Sequence, residues 1–166
     1  MKLLALIPLF FLLSCGSDEQ EPTAAGDFTG NQVVYNLYSA SEFGISGTAT
    51  FKELATGGLD VSIQLLNTTG EIFHPVHLHA GSVRDDGPLV SVLSPVYGAS
   101  GESSSQVTFL MTDENTMFTY SDLLKFDGSL RIHLDGGPGQ NILVAAANIG
   151  NNNNLISDGI AICNQW

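Results

Sequence analysis

The chain is predicted to be all-β, a single antiparallel sandwich or Greek-key barrel, on three observations. Leu59-Asp60-Val61-Ser62-Ile63-Gln64-Leu65 alternates apolar and polar residues without a fault, the period of a strand with one buried face. Other runs rich in β-branched and aromatic residues are divided by Gly, Ser, Asn and Asp at spacings of roughly ten residues, as in sandwiches and barrels. Only one short stretch has helical character.

In chain order, Gln32 to Tyr38 and Thr48 to Leu54 read as strands, and Gly57-Gly58 supplies the turn into Leu59–Leu65. In Phe73-His74-Pro75-Val76-His77-Leu78-His79-Ala80, alternation sets Val76, Leu78 and Ala80 on one face and His77 and His79 on the other. Ser103 to Ser105 read as loop, and Val107, Phe109 and Met111 alternate with Thr108 and Leu110. Tyr120 to Phe126 suggests a helical turn with Ser121 as its cap. In Ser129–Leu134, Leu130, Ile132 and Leu134 share one side, Arg131 and His133 the other. Ile142 to Ile149 and Gly159 to Cys163 complete the strands, with the loop Gly150 to Asn154 between them. No internal repeat or second domain is apparent, and residues 31–166 are the expected barrel domain.

The beginning of the chain reads differently. Met1-Lys2 followed by the apolar run Leu3 to Leu13 has the form of a signal peptide, residues 1–14, too short for a permanent membrane span. Leu12-Leu13-Ser14-Cys15 resembles the lipobox of bacterial lipoproteins, with Leu13 where a smaller residue is more usual. That resemblance implies cleavage before Cys15, lipidation of Cys15 and a membrane held through the lipid. Residues 15–30 then form a flexible tether bearing Asp18, Glu19 and Glu21. An acidic stretch there resembles the surface-export signal of Bacteroidota lipoproteins. The expected location is the cell envelope of a Gram-negative bacterium, periplasmic or on the outer-membrane surface.

Charge and cysteine usage narrow the partners. The chain carries 5 basic and 17 acidic residues; loss of Lys2 with the signal peptide leaves 4 and 17, a net charge of −13. So acidic a surface argues against nucleic acid and against anionic lipid headgroups. With Cys15 lipidated, Cys163 is the one remaining thiol. No intrachain disulfide can form, and the core must supply the stability.

The four histidines are unevenly placed: His74, His77 and His79 fall within six residues, and His133 follows much later. Imidazole is the commonest side-chain metal ligand, and a His-x-His pair on a strand aims both rings to one side. Because Leu130 and Ile132 should enter the core, His133 faces outward as His77 and His79 do. Three outward rings from two strands make a candidate site for copper or zinc.

His74-Pro75-Val76-His77-Leu78-His79 resembles the His-Gly-Phe-His-x-His element of the copper–zinc superoxide dismutases, and Leu130-Arg131-Ile132-His133 resembles that family's later Val-Val-His strand. The similarity covers roughly residues 30 to 163, and only the first motif is specific on its own. It implies a dismutase-like barrel with His77, His79 and His133 as copper ligands and His74 in support near the start of the strand.

The pattern departs from that family at several points. No histidine lies between His79 and His133, so the bridging and zinc-binding histidines have no counterpart. Asp85 and Asp86 could hold a hard cation, but zinc is disfavoured. Cys163 stands where the family has half of a disulfide, and the family's catalytic Arg before it is missing; Arg131, on the face of His133, is the one stand-in. Dismutation also needs a positive funnel for superoxide, which a charge of −13 opposes. The expectation is a weak dismutase or a copper-binding relative without turnover.

Rival readings rest on other residues. His79-Ala80-Gly81 with Gly87-Pro88-Leu89-Val90 resembles a segment of the chordin-type (CHRD) domain, which implies a non-catalytic interaction or adhesion module whose histidines are structural or bind metal without catalysis. Met111 and Met117 could serve a copper carrier as soft ligands, although core filling is the simpler role. A zinc hydrolase lacks a general base beside the rings, since Glu71 reads as a solvent-facing turn residue.

Overall fold

The computed structural model describes residues 28–85 and 87–152. The expected strand Gly159 to Cys163, the signal peptide, Cys15 and Asp86 lie outside the described residues.

Eight strands close into an antiparallel barrel: β1 (Phe28–Ser39), β2 (Ser46–Leu54), β3 (Leu59–Leu66), β4 (Phe73–Ala80), β5 (Leu89–Tyr97), β6 (Glu102–Val107), β9 (Asp127–His133) and β10 (Leu143–Gly150). Between β6 and β9 lie a small hairpin, β7 (Phe109–Leu110) and β8 (Asp113–Met117), and one helix, α1 (Tyr120–Lys125). Around the barrel the order is β1-β10-β9-β4-β5-β6-β3-β2. Strands β4, β5 and β6 are successive neighbours, while β9 returns to lie beside β4, which is Greek-key connectivity. Closure decides between sandwich and barrel, and it leaves the barrel no open edge.

The alternation read from the sequence is the alternation of burial. Leu59, Val61, Ile63 and Leu65 are buried, as are Val76 and Leu78 of β4 and Leu130 and Ile132 of β9. Tyr35 and Phe51 meet edge to face inside, ring centroids 5.7 Å apart. Gly57 and Gly58 turn β2 into β3 with φ of 87° and 78°, a conformation that costs glycine nothing.

Five local expectations are corrected. β1 begins at Phe28, inside the stretch expected to be tether, because Phe28 pairs with Leu54 ahead of a bulge. Ser103 to Ser105 are not loop but β6, paired with Val61 to Ile63, since backbone pairing tolerates small polar side chains. The alternation through Met111 is not one strand; it breaks after Val107 into the hairpin β7–β8. That hairpin lies against the barrel, with the Met111 N–H on the Val90 carbonyl at 2.8 Å and Leu110 packed on the core, yet Met111 and Met117 are exposed rather than filling the core. The helix is capped by Thr119, not Ser121: the Thr119 hydroxyl accepts from the Asp122 N–H, and the Asp122 carboxylate accepts from the Thr119 N–H, a closed capping box. Among the described residues no helix is long and apolar enough to cross a membrane.

Candidate metal centre

Strands β4 and β9 pair with Val76 opposite Ile132, His77 opposite Arg131 and His79 opposite Ser129. Because Val76, Leu78, Leu130 and Ile132 fill the interior, pleating sends His77, His79, Arg131 and His133 to the outer side. His133 is thus a diagonal neighbour of His77. The ring centroids lie 4.8 Å apart for His77 and His133 and 6.1 Å apart for His77 and His79, each pair inclined at 54°. Two imidazoles that bind one ion at about 2.0–2.1 Å place their centroids roughly 4.5–6 Å apart. The His77–His133 separation falls within that range and the His77–His79 separation just outside it, and the three predicted residues lie on one wall.

The ring nitrogens differ in their commitments. His79 Nδ1 lies 2.8 Å from the Gly87 carbonyl oxygen. A carbonyl only accepts, so Nδ1 carries the proton and Nε2 keeps its lone pair, the state a metal requires. Both ring nitrogens of His133 are buried without a hydrogen-bond partner; the Gln140 backbone is close enough to favour the charged ring but forms no bond of regular geometry. A buried polar atom left unpaired costs about 1–3 kcal/mol, and a bound cation would remove that cost. Among the described residues no group of three or more His, Cys, Asp or Glu side chains is arranged so that it could hold a metal ion.

Burial, followed by the nearby His79, holds the His77 ring below its ordinary value of 6.5. Burial, then His77, does the same for His133, with smaller contributions from His79 and Arg131. Both effects favour neutral imidazoles, the metal-binding form.

His74 occupies the opposite face of β4 and is buried at 1% exposure. Its Nδ1 gives a proton to the His133 carbonyl at 3.2 Å, and its Nε2 has no partner. By register His133 faces Pro75, which has no N–H to give; the His74 ring supplies a donor to that carbonyl. His74 therefore touches the site through the backbone of β9, not through the rings.

Arg131, the candidate stand-in for a catalytic arginine, directs its guanidinium to the β4–β5 connection. It donates to the Ser82 carbonyl at 3.2 Å, to the Asp85 carbonyl and, through Nε, to the Ser129 hydroxyl at 3.4 Å. Asp85, considered above for a hard cation, is a turn residue: its Oδ2 accepts from the Ser82 N–H at 2.8 Å and hydroxyl at 2.7 Å. Those bonds, more than Arg131, hold its carboxyl below the usual range. Glu71 is exposed.

Three neighbours of the site escaped the sequence reading. The Gly87 carbonyl is visible in the sequence only as a Gly-Pro turn signal. Gly87 has no room for a side chain, since a Cβ there would run into the Ala80 carbonyl oxygen. Asn148 and Ser129 sit on outward positions yet are buried at 5% and 0% exposure, because the β4–β5 connection crosses them and Asn148 Oδ1 accepts from the Val83 N–H at 2.7 Å. No sequence pattern announces that cover. The chain matches no protein-family model and no curated protein.

Proposed function

We propose that the protein is a lipid-anchored cell-envelope protein, tethered through Cys15, whose barrel wall holds one copper ion through His77, His79 and His133 in the manner of a divergent superoxide dismutase. The observation that carries this reading is that three half-buried, outward imidazoles stand side by side on two paired strands, with His77 beside both His79 and His133. Copper is preferred to zinc because an all-nitrogen set follows the ordinary affinity order, in which Cu²⁺ exceeds Zn²⁺. Bound copper supplies the one-electron couple that dismutation needs.

The remaining work falls to the chain. His79 enters with Nε2 bare, fixed by the Gly87 carbonyl; His133 brings unpaired nitrogens. Arg131 is engaged with backbone carbonyls, and the acidic excess retards an approaching anion. Slow dismutation, or copper carriage without turnover, follows.

A second reading, the chordin-type interaction module, is favoured by one observation: His74 and His79 each give Nδ1–H to a backbone carbonyl, as structural histidines do. Metal analysis separates the two. Protein exported into a copper-supplemented periplasm should carry close to one copper per chain, and a His77→Ala, His79→Ala variant should carry none. Copper with no dismutase activity above background identifies a carrier, and absence of both copper and zinc favours the interaction module.

A further inference from the structure

Arg131 lies directly across the β4–β9 ladder from His77, two residues before His133, in the middle of the candidate ligands. Its guanidinium is spent on the connection that follows His79. Ser82 and Asp85 close a tight turn, with the Asp85 N–H on the Ser82 carbonyl at 3.0 Å and the Asp85 carboxylate on Ser82. Arg131 then takes the outward carbonyls of both residues. A planar guanidinium is suited to this because its donors are spread in a fixed fork.

Gly87 follows two positions after Asp85, so a hold on the Asp85 carbonyl limits where Gly87 can lie. On its other side Gly87 is tied by the Ala80 N–H on the Pro88 carbonyl at 3.0 Å. Held from both sides, the Gly87 carbonyl meets His79 Nδ1 at 2.8 Å. The chain of contacts runs from one outward residue of β9, through a turn, to the proton of a ring on β4.

We propose that Arg131 is a positioning residue: by latching the Ser82 and Asp85 carbonyls it sets the Gly87 carbonyl against His79 and so fixes the ring tautomer that leaves Nε2 open to a metal. This deepens the three-histidine reading and rests on it for its purpose, although the latch itself can be tested without metal. Ligand-orienting partners of this kind typically change metal affinity about 10–100-fold when removed.

The test uses the full-length protein with Arg131→Gln and Arg131→Lys variants, their folding checked by circular dichroism. In metal-free samples, ¹⁵N–¹H correlation of the imidazoles should show His79 protonated at Nδ1 in the parent and a shift toward Nε2 protonation in Arg131→Gln. Cu²⁺ titration should show affinity about tenfold or more weaker in that variant. Arg131→Lys keeps the charge but loses the fork, so it should fail to restore either property in full.

An unchanged His79 tautomer in Arg131→Gln overturns the proposal whatever copper does, as does full restoration by lysine. Should Arg131→Gln not fold, the lysine variant alone decides by the same criterion. If the tautomer shifts while the parent binds no Cu²⁺, the latch stands and the metal reading falls.

Discussion

Two walls of the same barrel obey the same alternation and end up chemically different. On the β2–β3–β6 side the outward rows are Thr50, Ser62 and Ser104, and Thr48, Gln64 and Glu102, matched by register. They line a shallow open trough of about 540 Å³, with short polar groups turned to solvent. On the β4–β9–β10 side the outward residues include His77, Arg131, Ser129 and Asn148, and the β4–β5 connection is bonded to Arg131 and Asn148. Ser129 and Asn148 are buried there, whereas Gln64 and Ser104 are exposed. Strand period alone makes a residue outward. A covering segment makes it part of a site, because polar groups removed from water must then find partners or ligands.

The contrast is sharpened first by Asn148→Ala. It removes the acceptor of the Val83 N–H beneath the cover and should lower unfolding stability by about 1–3 kcal/mol, measured by denaturant titration. A cost no larger than that of an exposed substitution would break the distinction between the walls.

Next comes acid sensitivity. His77 and His133 have folded-state values below 6.5, so the unfolded chain takes up protons first as pH falls. Their contribution is complete above about pH 6.5 and is lost as pH drops through the lower folded values. Thermal midpoints of the metal-free protein should therefore decline as pH falls below about 6.5, and His133→Gln should flatten that decline. Asp85 and Asp122, held below 3.8 by their hydrogen bonds, keep their contribution through that decline and lose it only as pH falls below about 3.8. Protons and metal compete for the same nitrogens, so copper affinity should weaken in the same window.

The smallest effect belongs to the open wall. Ser62→Ala and Ser104→Ala should each change stability by no more than about 0.5 kcal/mol and leave copper content untouched. A large change in either would mean that the trough is a site in its own right.

Both histidine-bearing strands could be read in the sequence, because Val76-His77-Leu78-His79 and Leu130-Arg131-Ile132-His133 alternate so plainly. Serine-rich β6 could not, since Ser103 to Ser105 carry no apolar periodicity and are strand only through pairing with β3. Arg131 could be placed on the face of His133 but not given a partner. Its carbonyl acceptors lie 46 and 49 residues away, and backbone carbonyls leave no mark in a sequence.

By itself, then, the order of residues determined which side of β3, β4 and β9 faces water, the turn at Gly57-Gly58 and the placing of His77, His79 and His133 on outward positions. Those properties are local, set by a two-residue repeat and by side-chain chemistry. Only the tertiary structure decided that β9 lies against β4, that one ring nitrogen of His79 is taken and that Ser129 and Asn148 are covered. Each of these depends on chain closure bringing distant backbone groups within hydrogen-bond reach, and local periodicity carries no information about that.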